Sequence, residues 1–321
     1  MAIVSAVALG GVLACLAIGQ TAPAEALSRV AEEAEVFQDN APKALTQETL
    51  EQRASMPTTQ RFRPRLSRVN PQNNPQNNPQ PGAPKNRMQV REIISEYSVG
   101  TLGNSESRSL VEFRQVVSVD GRAIQSAEKA RHALSLGVHS ADDRARKRML
   151  EDFARHGLVD VATDYGLILL AFTKRGQQEM KIEAAGETEI GPDEALVFNW
   201  QQTSPANGEL EFHGKQVARR ALEGKLWVRK SDGLPLRVEA WAEHIDLAKH
   251  KIRDEATVDY VLSSHGFLTP ASVVHRHRVD DQLVTENLYR YEPFKLFAAD
   301  AEIKFTELPE SAAPPPAPTK K

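Results

Sequence analysis

From Lys215 to Phe305 apolar and polar residues alternate in short runs. Leu226 and Val228 alternate with Lys225, Trp227 and Arg229; Leu236, Val238, Ala240 and Ala242 alternate with Arg237, Glu239 and Glu243. Ala256, Val258, Tyr260 and Leu262 follow, interleaved with Thr257 and Asp259. Ala271 and Val273 open a further run that turns at Asp280-Asp281 and returns from Leu283 to Tyr291. Successive side chains of a strand point to opposite faces, so this period predicts one dry face and one wet face. Lys230-Ser231-Asp232-Gly233 and Ser264-His265-Gly266 separate the runs. Glycine accepts positive φ at little cost, which makes such turns hairpin signals. The segment reads as an antiparallel meander.

Upstream, Ile93–Val99 and Ser109–Val119 read as strands, the second ending at Asp120-Gly121. From Ile124 to Leu136 the spacing becomes helical, with Ser126 as N-cap and Gly137 as terminator. Ser140–Asp143 has the form of a capping box with Asp in place of Glu. It opens a second helix with Ala145, Met149, Leu150 and Phe153 inward, ending at Gly157. Gly166–Phe172 is almost wholly apolar and predicts a central strand covered on both faces. Glu179–Ala184 and Ala195–Gln202 bring the total to about eleven strands. The predicted fold is mainly β (α+β), a curved antiparallel sheet or incomplete barrel with a helical lid from Ile124 to His156.

The ends of the chain are organised differently. Ala2–Ile18 is apolar and precedes small-x-small sites at Ala22–Ala26, so residues 1–26 read as a signal peptide. Two alternatives stay open for this segment, retention as an anchor and lipidation at Cys15. Residues 27–53 read as a helical prefix. Leu27, Val30, Ala31, Ala34 and Phe37 share one face, and Pro42 opens a second helix through Ala44, Leu45, Thr49 and Leu50. Residues 54–89 form an Asn/Pro/Gln-rich linker that buries too little apolar area to order itself. No acid stands between Glu51 and Glu92, whereas Arg53, Arg61, Arg63, Arg65, Arg68, Lys85, Arg87 and Arg91 do. A peripheral contact with an anionic envelope surface and a solvated spacer are the two readings of that run. Residues 90–307 form the β domain, and 308–321 a Pro-rich tail.

Charge and cysteine content narrow the compartment and the partners. The net charge of -3 over 321 residues gives no global field for nucleic acid. The one cysteine, Cys15, lies in the apolar leader, so the rest of the chain makes no intramolecular disulfide and no thiolate metal site. An exported, periplasmic or secreted protein is expected.

Catalytic patterns are sparse. His275 and His277 share a strand face and could meet a metal, but His265, Asp280 and Glu286 are not fixed as a third ligand by spacing. The ordinary reading of the pair is structural. Gly-x-Ser-x-Gly is absent, and Ser263 and Ser264 beside His265 belong to a turn. No glycine loop for phosphate occurs. The expectation is a non-catalytic protein with no cofactor and no metal.

Gly224–Lys230 (GKLWVRK), Asp232–Arg237 (DGLPLR) and Thr269-Pro270, set in a meander that follows two strands and a helical insert, resemble outer-membrane lipoprotein-sorting proteins and the RseB-type sensor domains. The resemblance covers roughly Val90 to Phe305. It implies an eleven-stranded, incompletely closed barrel that holds acyl chains in an apolar concavity. On that basis Leu226, Val228, Val238, Val258, Tyr260 and Val273 are the expected ligand-binding residues. Lipid or lipoprotein is the expected ligand, and an envelope protein docking on residues 27–53 is a further expected partner. The alternatives are an interaction module whose concavity is filled by its own side chains and a metal-dependent enzyme at His275 and His277.

Overall fold

The computed structural model describes residues 23–56, 87–102, 109–138, 144–159, 161, 163–204, 209–213 and 216–297. The leader with Cys15, residues 57–86 of the linker, the Ser140–Asp143 box and the tail lie outside the described residues. The chain opens with α1 (Pro23–Asn40), a 3₁₀ turn (Ala41–Lys43), β1 (Ala44–Met56), β2 (Arg87–Leu102), β3 (Ser109–Val119) and β4 (Arg122–Ala123). Then come α2 (Ala127–Val138), α3 (Arg144–Arg155), a buried 3₁₀ segment (Tyr165–Phe172) and α4 (Lys174–Gln178). The remaining strands are β5 (Met180–Ile190), β6 (Asp193–Gln202), β7 (Glu209–His213), β8 (Gln216–Arg220), β9 (Glu223–Arg229), β10 (Pro235–Ile245), β11 (Lys251–Leu262), β12 (Leu268–Val279), β13 (Gln282–Tyr291) and β14 (Lys295–Leu296).

One open antiparallel sheet dominates, in the order β4-β3-β2-β1-β13-β12-β11-β10-β9-β6-β5, with β14 added on β1. β7 and β8 form a separate hairpin. Two turns of the main sheet hold both central residues at positive φ, Asp120 (48°) with Gly121 (75°) and Asp280 (48°) with Asp281 (63°). That geometry matches the twist of paired strands, and Asp tolerates it better than most residues. The Ser126 hydroxyl accepts from the Lys129 amide at 3.2 Å, capping α2 as expected. Gly157 (φ 81°) ends α3, and the Leu158 amide reaches back to the Phe153 carbonyl at 3.2 Å.

Four expectations are corrected. Ala44–Met56 is a strand deep in the sheet, not a second helix, so the folded unit reaches well before residue 90. Its inward positions include Thr46, Glu48 and Gln52, all buried. These polar residues disguise a period-two pattern that apolar counting reads as helical. Tyr165–Phe172 is 3₁₀ helix, not a strand. A short apolar run surrounded by core carries no periodicity to separate the two. The apolar stripe of α1 is not offered to a partner, because Val30, Ala34 and Phe37 are buried in the main core. The helical lid is divided. Leu134 of α2 packs with Val111 and Phe113 on one face of β3, while Met149 and Phe153 of α3 join the main core, which Val116 of β3 enters from the opposite face.

Candidate ligand-binding face

Antiparallel register aligns the expected binding residues into a row. Leu226, Val238, Val258 and Val273 are direct cross-strand partners on four successive strands. The row continues to Phe198 on one side, and through Tyr289 and Leu50 to Ile93 on the other. Each of these eight residues is at most 2% exposed. Burying one such side chain contributes about 1.5–3 kcal/mol, so the row is a principal source of stability. Val228 and Tyr260 lie beside it, also buried.

The cover over this face is made by the chain itself. The Phe37 ring of α1 meets Tyr260 edge-on, with centroids 6.4 Å apart. The Tyr260 hydroxyl accepts from the Leu169 amide and donates to the Gly166 carbonyl, both at 3.1 Å, which pins the 3₁₀ segment to β11. Burial raises the Tyr260 pKa far above the ordinary phenol value. Phe172 meets Trp200 edge-on at 5.4 Å. Trp227 and Trp241 lie on the opposite face, half-buried; the Trp241 indole N–H donates to Glu223 at 2.7 Å, and Arg253 lies over its ring.

Two buried polar clusters flank the row. In the first, Arg114 donates to Glu48 from Nε at 2.7 Å and from Nη2 at 2.7 Å. Its Nη1 lies 2.9 Å from Glu112 Oε2. The Tyr97 and Tyr289 rings each lie 5.1 Å from the guanidinium. Glu112 also accepts from Tyr97 Oη (3.1 Å), the Asp164 amide (2.7 Å) and the Gly166 amide (3.0 Å). Burial pushes the Glu48 carboxyl above its ordinary pKa, against the opposing pull of Arg114. The flanking carboxylates hold Arg114 charged despite its burial.

In the second cluster, His275 Nε2 and His277 Nδ1 both face Asp254 Oδ1, at 3.3 and 2.8 Å. The Asn287 amide nitrogen lies 3.1 Å from His275 Nδ1, and Gln52 Nε2 donates to Asn287 at 2.6 Å. Tyr165 stacks on His275 at 5.2 Å. Burial alone would raise the Asp254 pKa, but the hydrogen bonds and charge of the two histidines outweigh it and hold the carboxyl well below its usual range. The candidate third ligands are elsewhere. His265 faces the Phe294 carbonyl, Asp280 faces His250 and Glu286 faces Arg276. Among the described residues no set of three His, Cys, Asp or Glu side chains is arranged to hold a metal ion. Sequence reasoning paired the histidines correctly but missed Asp254, which is hidden in the charged run Arg253–Glu255.

The class defined by these observations is an open antiparallel sheet whose apolar face is filled by its own helical segments. No family model matches the chain, and no curated protein does. Among solved structures it is similar to a DUF1329 family protein from Desulfovibrio piger, at 9% identity over 88% of this chain and 97% of that one, with a TM-score of 0.33. It is also similar to a putative outer membrane lipoprotein-sorting protein domain from Vibrio parahaemolyticus, at 8% identity over 86% and 97% of the two chains, TM-score 0.31. A third similar structure is MucB in complex with MucA(peri), at 9% identity over 83% and 98%, TM-score 0.18. Among the described residues no helix is long and apolar enough to cross a membrane.

Proposed function

We propose that this is a non-catalytic binding protein of the cell envelope that engages a protein partner through its outer surface, with the inner face of the sheet serving as its core. The observation that supports this is the row from Phe198 to Ile93, buried beneath α1, α3 and the 3₁₀ segment. A carrier of acyl chains needs such a row within reach of its ligand, and here the chain's own side chains occupy that position. Export is supported by the apolar leader Ala2–Ile18. The basic run from Arg53 to Arg91 would add a peripheral contact with anionic envelope surfaces.

A second reading keeps Leu226, Val228, Val238, Val258, Tyr260 and Val273 as an acyl-binding site. The continuity of the row favours it, because a straight apolar strip across several strands suits a chain-like ligand. Under that reading α1 and the 3₁₀ segment move aside when the ligand enters. Native gel separation of gently solubilised envelopes tests the main reading. The protein is expected in an assembly larger than its 35.5 kDa chain mass. Migration as a free monomer in the envelope extract would count against it.

A further inference from the structure

The two edges of the sheet are built differently. At one edge β3 is flanked by the two-residue β4, and α2 covers Val111 and Phe113. At the other, β5 pairs with β6 along its whole length, and among the described residues no strand pairs with its second side. From Glu183 to Glu189 every residue of β5 is exposed, so neither face of the strand is packed. A Cβ placed on Gly186 would meet nothing within 4 Å. An eleven-residue strand with one unpaired backbone edge is a ready template for a further strand.

The chemistry of β5 limits what can add to it. Glu183, Glu187 and Glu189 lie along the exposed stretch, and Lys181 is the one cation of the strand. Lys230 pairs with Glu187 at 2.8 Å, leaving Glu183 and Glu189 at either end of the exposed stretch. Glu187 and Glu189 share a face, and antiparallel pairing of two copies of β5 in the register that opposes them would set like charges together, which is destabilising. The register shift between Ala184 and Gly186, with Gly186 at φ 110°, further deters flat self-stacking. Both features act against a second copy, and neither acts against an extended segment rich in Lys or Arg.

We propose that β5 is a docking edge at which an extended, basic segment of a partner protein adds as a further strand. The main-chain ladder supplies affinity, and Glu183 and Glu189 select for positive charge. This deepens the protein-partner reading above and rests on it. The two fail separately, because a free monomer in the envelope defeats the reading, while the peptide experiment below defeats only the edge.

The test uses the full chain and a synthetic peptide of about ten residues, at the long end of strand lengths and enough to span most of β5, rich in arginine and threonine. A second peptide of the same sequence carries N-methyl groups on alternate amides. Hydrogen exchange is followed with and without peptide. The proposal expects new protection confined to β5, binding that weakens with salt, and roughly tenfold weaker binding to Glu183→Lys/Glu189→Lys, with the N-methylated peptide inert. Both substituted side chains are exposed, so the fold should survive, and an unchanged melting temperature checks this. No binding, equal binding of the methylated peptide, or protection elsewhere overturns the proposal. So does protection of β5 before any peptide is added, whether from a second copy or from the chain's own Arg61–Arg68.

Discussion

Arg114 of β3 and Glu48 of β1 meet in a two-pronged ion pair in which both side chains are only 1% exposed. The strands they stand on do not touch, because β2 lies between them. The pair therefore spans a strand across the inner face and ties the sheet at long range in sequence. Glu48→Ala leaves the guanidinium with Glu112 alone, and breaking a buried pair of this kind costs about 3–5 kcal/mol. Urea unfolding should show a loss in that range, and a loss below about 1 kcal/mol would mean that the pair is solvated. Replacing both partners by methionine should cost much less than Glu48→Ala, since no unpaired charge remains.

Tyr260→Phe removes the two hydrogen bonds by which Tyr260 ties the 3₁₀ segment to β11, while the Gly166 amide keeps its bond to Glu112. A loss of about 1–3 kcal/mol is expected. The site-specific readout is the Leu169 amide, which should exchange faster in the variant than in the wild type, while amides of β1 are unchanged. A uniform change across the sheet would count against local pinning.

Phe37→Ala removes the ring that closes α1 over Tyr260. Truncating a buried phenylalanine costs about 3–5 kcal/mol, a figure that grows with the cavity left behind. A fluorescent fatty acid should show no saturable binding to the wild type and measurable binding to the variant. Equal binding by both proteins would mean that α1 does not seal the face.

Asp254 sets a pH dependence. Its folded pKa is depressed, so its contribution to stability is complete above the ordinary carboxylate value of 3.8 and is lost as pH falls through and below that value. Glu48 runs the other way. Burial raises its pKa above 4.5, so protonation favours the folded state as pH drops. The difference between wild type and Asp254→Asn isolates the first effect. The variant should be the less stable near neutral pH, with the gap closing on acidification below about pH 4. A gap independent of pH would contradict the charge-based account.

The meander was legible because its outward face is polar and its inward face apolar from β9 to β11, so alternation survives in the letters. The hairpins at Asp120-Gly121 and Asp280-Asp281 were legible because few residues accept positive φ. β1 was not, since Glu48 and Gln52 occupy inward positions whose partners, Arg114 and Asn287, lie far away in sequence. The 3₁₀ segment was misread because core surrounds it and leaves no polar phase. The row from Leu226 to Val273 was visible as single residues, but its cover by α1 depends on tertiary docking that no local pattern encodes. Asp254 was lost in a run of charges although it shares the inward parity of Ala256 and Val258, because only the fold brings it to His275 and His277.

The most direct test of the filled inner face is native mass spectrometry of the protein purified from the cells that make it. A filled face predicts that the chain, once any protein partner has been stripped from it, carries no bound lipid. A stoichiometric acyl lipid that leaves only on unfolding would contradict it and establish Leu226, Val238, Val258 and Val273 as a ligand site.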